Sequence, residues 1–326
     1  MISLQNINSK VLSRQSGVSM VELMIAMMLG LFLLFALVEI LINGKQSFGS
    51  ANQLSRLQEN GRIATNLVVT DLKRAGYLGG NSNIQDIYGT TGQVAASNPN
   101  CATANNTWGR RISQPLEGLN DTNAGYACIP NATYLRGDVL AIRHAMPWIE
   151  GGALDANRLY LRSSLFQGKI FLGNAADSGD NKIDDPQGQL NVRELQTHAY
   201  FVGNSGRTCA GNAIPSLFRV SLDDNGEPDI DELLPGVEDF QVQYRVGTDI
   251  DSDDVIDQYE YVNANEIDWE NDGTNVSTVR IWLLVKAECA ETGYLDTVTY
   301  TMGDQIFTPA DNFRRQLYSS VVFIRN

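Results

Sequence analysis

An apolar run from Val18 to Ile42 constrains this chain more than any other feature of its sequence. Charged residues interrupt it only at Glu22, near its start, and at Glu39, near its end. A helix needs roughly 20 apolar residues to cross the hydrocarbon core of a bilayer. The run therefore predicts one membrane-spanning helix close to the N-terminus.

The segment before this run, residues 1–17, is short and polar. It contains Lys10 and Arg14 and no acidic residue. Basic residues on one flank of a membrane helix favour the cytoplasmic side, so the leader should stay inside and the remainder should be exported. A secretory signal places its apolar region before the cleavage site and loses it. Here the apolar run would survive a cut after Gly17.

Glu22 is unusual because a carboxylate at the entrance of a membrane helix is costly and is generally paired. A cut after Gly17 would make Val18 a free α-amine four residues before it. The amine and the carboxylate could pair within one helix or between neighbouring subunits. The alternative is that Glu22 sits among the lipid headgroups, and the residues alone leave both interpretations open.

The stretch Gly17-Val-Ser-Met-Val-Glu22-Leu, with the polar leader before it and the apolar helix after it, resembles the class III leader of type IV pilins and type II secretion pseudopilins. The resemblance implies that a prepilin peptidase cuts after Gly17 and methylates the new amine of Val18. It also implies that Glu22 docks the subunit into a growing fibre through a neighbour's N-terminus. Val18 stands where phenylalanine or methionine is more usual.

The chain has 326 residues and a formal net charge of −14. Loss of the leader removes two basic residues and makes it more acidic. Binding to nucleic acid requires a basic face, so this charge argues against a nucleic-acid partner.

Four cysteines, Cys101, Cys128, Cys209 and Cys289, lie in the part predicted to be exported. An oxidising compartment favours disulfides, and three pairings are possible. We favour Cys101–Cys128, which closes a short loop, together with Cys209–Cys289. Free buried thiols are the alternative.

Beyond Ile42 the apolar residues recur at three- and four-residue spacing, which is typical of an amphipathic helix. No proline precedes Pro99, and Gly76 is a natural stop. A helix from Val18 to about Gly76 would be roughly 88 Å long. We therefore predict a membrane half over 18–42, an amphipathic half over 43–76 and a β-rich globular domain over 77–326.

Alternating and apolar runs after residue 137 predict strands. They are Asp138–His144, Arg158–Leu165, Lys169–Leu172, His198–Val202, Leu217–Val220, Gly236–Val246, Val276–Ala287, Tyr294–Met302 and Gln316–Ile324. The run Phe240–Val246 alternates as a half-buried antiparallel strand does, and the run from Val279 predicts a central strand. The expected fold class is α+β, with a long N-terminal helix packed on an antiparallel sheet.

The last third of the chain resembles a narrower family, the PilW-type minor pilins of the type IV pilus. The resemblance rests on Gly236-Val-Glu-Asp-Phe-Gln-Val-Gln-Tyr-Arg-Val, on Val279-Arg-Ile-Trp-Leu-Leu-Val and on Arg314-Arg-Gln-Leu-Tyr-Ser-Ser-Val-Val-Phe-Ile-Arg-Asn326. The segment Arg56–Ala64 on the helix supports it. J-type pseudopilins of type II secretion share part of this pattern.

Acidic residues are concentrated between Asp223 and Asp272, where 18 Asp and Glu face a single base, Arg245. Oxygen ligands at alternate positions are typical of a calcium loop, and the candidates are Asp249, Asp251, Asp253, Asp257 and Glu260. The turn glycine of such a loop is missing, since Asp254 stands at that position. Ca²⁺ is the one cofactor that the residues suggest, none is required, and a solvated acidic loop is the alternative. The segment Asp223–Asp231 is a weaker second candidate.

Catalytic motifs are not found, and the two histidines, His144 and His198, are far apart in the sequence. Each is expected to be a strand or surface residue, and the protein is expected not to be an enzyme.

The resemblance implies a subunit that waits in the inner membrane as a single-pass protein with a periplasmic domain and then enters a pilus near its tip. It would prime and cap the fibre and so support twitching motility, adhesion and surface sensing. The implied partners are other minor pilins, the major pilin, prepilin peptidase, the inner-membrane assembly platform and a PilY-type tip adhesin. The alternatives are a J-type pseudopilin and a calcium-dependent binding module at a fibre tip.

Overall fold

The structure is a computed structural model of the chain. It describes residues 17–81, 83–90, 101, 107–151, 153–174, 191–251, 253, 255–270 and 276–324. Internal contacts divide the chain into two units, residues 1–52 and residues 53–326. The described part of the first unit consists of residues 17–19 and the first 33 residues of one helix.

Helix α1 runs from Met20 to Leu72, close to the predicted bounds. Its start is capped by Ser19, whose side-chain oxygen accepts a hydrogen bond from the backbone N–H of Val21 at 3.3 Å. Serine is a favoured cap because its oxygen satisfies one of the unpaired N–H groups of the first turn. The helix ends four residues before Gly76, which takes a left-handed conformation with φ of 75°.

The described strands vary in length from 2 residues to 19 residues. They are β1 Ile87–Tyr88, β2 Leu116–Leu119, β3 Tyr134–Ala145, β4 Leu159–Ser163, β5 Gly168–Leu172, β6 Asn191–Cys209, β7 Asn212–Leu222, β8 Pro228–Pro235, β9 Val237–Thr248, β10 Gln258–Asn263, β11 Val276–Lys286, β12 Tyr300–Met302, β13 Gln305–Phe307 and β14 Arg315–Phe323. Two single-turn 3-10 helices cover Ile84–Asp86 and Ala264–Glu266.

The strands form three sheets. The large sheet has the order β1-β5-β4-β6-β3-β2, and β7 and β8 extend it from β6. Its one parallel pair among the described strands is β1 with β5. A second, four-stranded antiparallel sheet has the order β10-β9-β11-β14, and β12 pairs with β13. The predicted α+β class is confirmed, and β11 is a central strand as expected.

The main core lies where the second part of α1 meets both larger sheets. Leu57, Gly61, Ala64, Val68 and Leu72 of the helix are buried at three- and four-residue spacing. Alternate residues of β3 and β6 point into this core, and the intervening residues enter a second core beside Trp108 and the Cys101–Cys128 disulfide. Strands covered on both faces explain why these segments are apolar without a clear alternation.

Gly61 of α1 allows a close approach of the helix to the second sheet. A Cβ atom placed on it would lie 2.1 Å from ring carbon Cε2 of Tyr318 on β14. The Tyr318 hydroxyl donates a hydrogen bond to the backbone oxygen of Gln58 at 3.3 Å. Glycine is therefore required here for packing, although it is a poor helix former.

Two strand predictions need correction. Of the run Tyr294–Met302, only the last three residues form a strand, because the Asp296 carboxylate accepts the N–H of Val298 and breaks the extended path. Strand β9 is antiparallel as predicted, and Gln243 and Arg245 on its polar face are partly exposed, but Asp239 and Gln241 on the same face are buried. The Gln241 amide donates a hydrogen bond to the Asp121 carboxylate at 3.0 Å. Asp121 belongs to the segment that covers this face of β9.

The structure pairs Cys101 with Cys128 and Cys209 with Cys289, the two pairings favoured from the sequence. The first closes a local loop over the second core. The second joins the end of β6 to the segment after β11 and so links the two larger sheets.

Candidate functional site

The apolar part of α1 is exposed along its whole length. No residue of its most apolar stretch is buried by the rest of the chain, and by length and composition the helix could cross a membrane. Large apolar side chains such as Phe32, Leu34 and Phe35 have more than half of their surface exposed. A surface of this kind is stable only against lipid or other apolar helices.

Gly17, Val18 and Glu22 lie together at the start of this helix. Gly17 and Val18 precede it in non-helical backbone and are exposed. Glu22 is in the first helical turn, where the unpaired N–H groups favour a negative charge. The arrangement leaves the Gly17–Val18 bond exposed and places Glu22 four residues after Val18. Residues 1–16, the rest of the predicted leader, lie outside the described residues.

The acidic loop, residues 249–257, joins β9 to β10. Three of the five predicted oxygen ligands come together there, since Asp249, Asp251 and Asp257 each place a carboxylate oxygen within 4.8 Å of the others. The Asp257 carboxylate accepts the N–H of Ile250 at 2.7 Å, which closes the base of the loop.

The other two predicted ligands have different positions. The Asp253 carboxylate accepts the N–H of Val255 at 2.9 Å, and its own N–H donates to Asp249 at 3.3 Å. Glu260 lies on β10 opposite Val246 and lines an open cleft of about 370 Å³ together with Asp249 and Glu266. Asp254 lies outside the described residues.

The weaker calcium candidate, Asp223–Asp231, has a structural role. It forms the tight turn between β7 and β8, where one oxygen of Asp223 accepts the N–H groups of Asn225 and Glu227, each at 2.8 Å. These bonds hold the pKa of Asp223 below its usual value. Asp229 and Asp231 continue into β8 and do not converge on the turn.

A buried polar group that the sequence analysis missed joins the end of α1 to the large sheet. It consists of Asp71 on α1, His144 on β3, and His198 and Tyr200 on β6, and is called the Asp71 cluster below. Nδ1 of His198 and the hydroxyl of Tyr200 both lie 2.5 Å from Oδ2 of Asp71. Nε2 of His144 lies 3.6 Å from Oδ1.

The electrostatics of this cluster favour an ionised Asp71. Burial alone would raise the pKa of the carboxyl, but His144, His198 and Tyr200 together hold it well below its usual range. Burial lowers the pKa of His198, and the neighbouring Asp71 opposes this shift only in part. Both histidines are strand residues as expected, but they are close together in the fold, since their ring centroids lie 6.1 Å apart.

A second buried ionic group explains part of the C-terminal pattern. The side chain of Arg315, at the start of β14, is 1% exposed and contacts the carboxylates of Glu238, Asp296 and Asp311. Its Nε lies 2.5 Å from Glu238 on β9, and its Nη1 lies 2.6 Å from Asp311. Arg315 thereby lowers the pKa of Asp311. The group fixes β14 against the turn that precedes it.

Comparison with protein families gives a match in the C-terminal part of the chain. Residues 199–326 match the family model of PilW, the type IV pilus-assembly protein W. The matched segment contains β7 to β14, including the acidic loop and the Arg315 group. The resemblance to PilW-type proteins inferred from the sequence is thus confirmed for the C-terminal part of the chain.

A solved structure is also similar, the type IV-like pilin TTHA1219 from Thermus thermophilus. The alignment covers 82% of this chain and 96% of that chain, with 13% identity and a TM-score of 0.36. A search among curated proteins gives no match.

Proposed function

We propose that this chain, which matches the type IV pilus-assembly protein W family over its C-terminal part, is a minor pilin that docks with other minor pilins to prime and cap a type IV pilus. The observation that carries this proposal is the exposed apolar part of α1, with Gly17 just before it and Glu22 in its first turn. Such a helix needs an apolar environment before and after assembly. The bilayer provides it first, and the packed helices of a fibre provide it afterwards.

During assembly, the apolar part of α1 would leave the bilayer and pack against the helices of other subunits. Cleavage after Gly17 frees the amine of Val18, and methylation leaves it positively charged at neutral pH. The Glu22 carboxylate cannot remain unpaired among apolar helices, so it pairs with the amine of a neighbour. This pairing sets the axial position of the incoming subunit. Motility, adhesion and surface sensing are properties of the completed fibre.

An intact-mass measurement on protein recovered from membranes tests this proposal. The expected mass starts at Val18 and includes one added methyl group. The same protein from cells without prepilin peptidase should start at Met1. A mass that starts at Met1 in cells with the peptidase would contradict the proposal and would leave an ordinary membrane anchor.

A pseudopilin of a type II secretion system would pass the mass test equally well. The two functions differ in what is lost on deletion of the gene. Loss of surface pili with normal protein secretion supports the pilus, whereas loss of secretion with normal pili supports the secretion system.

The grouping of Asp249, Asp251 and Asp257 favours a second candidate function, a calcium-dependent binding module at the fibre tip. Hard carboxylate oxygens are the ligands that Ca²⁺ prefers. Calorimetric titration of the full chain with Ca²⁺ should give one site, which the Asp251→Asn variant should weaken at least tenfold. Asp229→Asn, in the other acidic segment, is the matched control. Equal Ca²⁺ affinities of the two variants would mean that the acidic loop is solvated and does not bind the ion.

A further inference from the structure

We infer that Asp71, His144 and His198 form a zinc site that fastens the end of helix α1 to the large sheet. Their ligand atoms all lie within 4.8 Å of one another. Two imidazole nitrogens and one carboxylate oxygen suit Zn²⁺ better than Ca²⁺ or Mg²⁺, which prefer oxygen ligands. The inference does not depend on the proposed role in a pilus.

The protonation of His144 is the first argument for a cation. Its Nδ1 lies 3.0 Å from the backbone oxygen of Ala145. A carbonyl oxygen only accepts hydrogen bonds, so Nδ1 carries the proton. In the neutral ring, Nε2 then presents a lone pair. Metal-binding histidines characteristically donate their other ring N–H to a backbone carbonyl or a carboxylate in this way.

The position of that lone pair is the second argument. His144 is fully buried, and its Nε2 makes no hydrogen bond in the part of the chain that the structure describes. It faces Oδ1 of Asp71 at 3.6 Å. A lone pair opposite a carboxylate in a dry interior is repulsive unless positive charge lies between them. A metal ion or a second proton can supply this charge.

The distances fit a small tetrahedral ion. Zinc bound at about 2.0–2.2 Å keeps its ligand atoms roughly 3.4 Å apart. Nε2 of His144 and Oδ1 of Asp71 already have nearly this separation. Nδ1 of His198 lies 2.5 Å from Oδ2 of Asp71, a hydrogen-bonding distance at which it carries a proton. Zinc binding would displace this proton and move Nδ1 away from Oδ2, which keeps the hydrogen bond from Tyr200. Asp71, His144 and His198 would supply three of the four ligands of such an ion.

Zinc retention by the full-length protein in detergent tests the inference. The protein must carry no polyhistidine tag, since the chain has only 2 histidines. After loading with ZnCl₂ and dialysis, elemental mass spectrometry should find about one zinc per chain. His144→Gln should reduce this content at least tenfold. Asp249→Asn, in the acidic loop, is the control and should keep it.

A second measurement uses only the wild-type protein, because His144→Gln could fail to fold. With ¹⁵N-labelled histidine, zinc should shift the Nε2 resonance of His144 while its Nδ1 stays protonated. Wild type without retained zinc, or His144 protonated on both nitrogens and insensitive to zinc, would overturn the inference and assign the positive charge to a proton. Equal zinc contents in wild type and His144→Gln would overturn it as well.

Discussion

Helix α1 contains two parts with the same backbone and opposite surroundings. Before Asn52 its apolar side chains are exposed, and a Cβ atom added at Gly30, Gly44 or Gly49 would meet nothing within 4 Å beyond the neighbouring helix backbone. After Gln53 the helix is buried on one side, and a Cβ atom at Gly61 would collide with Tyr318. The second part packs against the rest of its own chain, whereas the first part requires apolar surroundings that this chain does not provide.

The comparison separates folding from assembly. Substitutions in the second part should change the stability of residues 53–326. Substitutions in the first part should leave that stability unchanged and act on membrane insertion or on contacts with other subunits. Matched pairs of substitutions can test this separation. In some pairs each part of the helix carries one substitution, and in one pair both substitutions lie in the first part.

The largest effect is expected for Glu22→Ala, which should abolish incorporation into fibres while cleavage after Gly17 continues. The carboxylate would no longer be available to pair with a neighbour's amine in an apolar environment. Glu39→Ala is the matched control, because it removes the other carboxylate of the apolar run. Electron microscopy of pili and immunoblots of sheared fibres provide the measurement. Normal piliation in Glu22→Ala would show that the carboxylate only contacts headgroups.

Leu72→Ala should lower the free energy of unfolding of residues 53–326 by about 2–5 kcal/mol, because it leaves a cavity in the main core. Leu72 is fully buried, whereas Leu34 is 60% exposed. Leu34→Ala should therefore change the same free energy by less than about 0.5 kcal/mol. Denaturant unfolding of the full chain in detergent, followed by tryptophan fluorescence, measures both. Equal losses would mean that the two parts unfold together.

Gly61→Ala should destabilise the domain by about 1–3 kcal/mol, because the added methyl group meets the Tyr318 ring. Gly49→Ala, where no atom is within reach, should leave the unfolding midpoint unchanged or raise it slightly through helix propensity. Replacing Tyr318 by Ser in the Gly61→Ala chain should recover part of the loss, as a double-mutant cycle can show. A loss unchanged by Tyr318→Ser would contradict the proposed collision.

The smallest effect concerns pH and the Arg315 group. Because Arg315 lowers the pKa of Asp311 in the folded state, the ionised carboxylate stabilises the fold above its unfolded pKa, about 3.8. This stabilisation is lost as the pH falls through the lower, folded value. Asp311→Asn should therefore show a smaller drop in urea midpoint between pH 7 and about pH 3 than wild type does. An identical drop in both proteins would refute the contribution of this pair.

The sequence predicts the long helix and the final strands well because those signals are local. The three- and four-residue spacing from Leu57 to Leu72 appears directly as the buried stripe, and β9, β11 and β14 follow the predicted runs closely. Strand β8 is missed because five of its eight residues are polar or proline and its exposed side needs no apolar pattern. Residues 294–299 resemble a strand, but their polar contacts with neighbouring segments decide their conformation.

The Asp71 cluster could not be predicted because its members are distant in the sequence. His198 lies 127 residues after Asp71, and only the pairing of β3 with β6 brings it beside His144. A useful signal was present nevertheless. Both histidines fall inside apolar runs, where an unpaired imidazole would be costly, so each requires a polar partner from elsewhere in the fold.

The contact between Gly61 and Tyr318 also has a consequence for the order of folding. The Tyr318 hydroxyl reaches a helix residue 260 positions earlier in the chain. The helix is synthesised early, but the strand that covers this turn is synthesised almost last. Contacts of such high sequence separation slow folding and leave apolar surface open to aggregation in the meantime. The newly made chain would therefore depend on protection until its final strand has emerged.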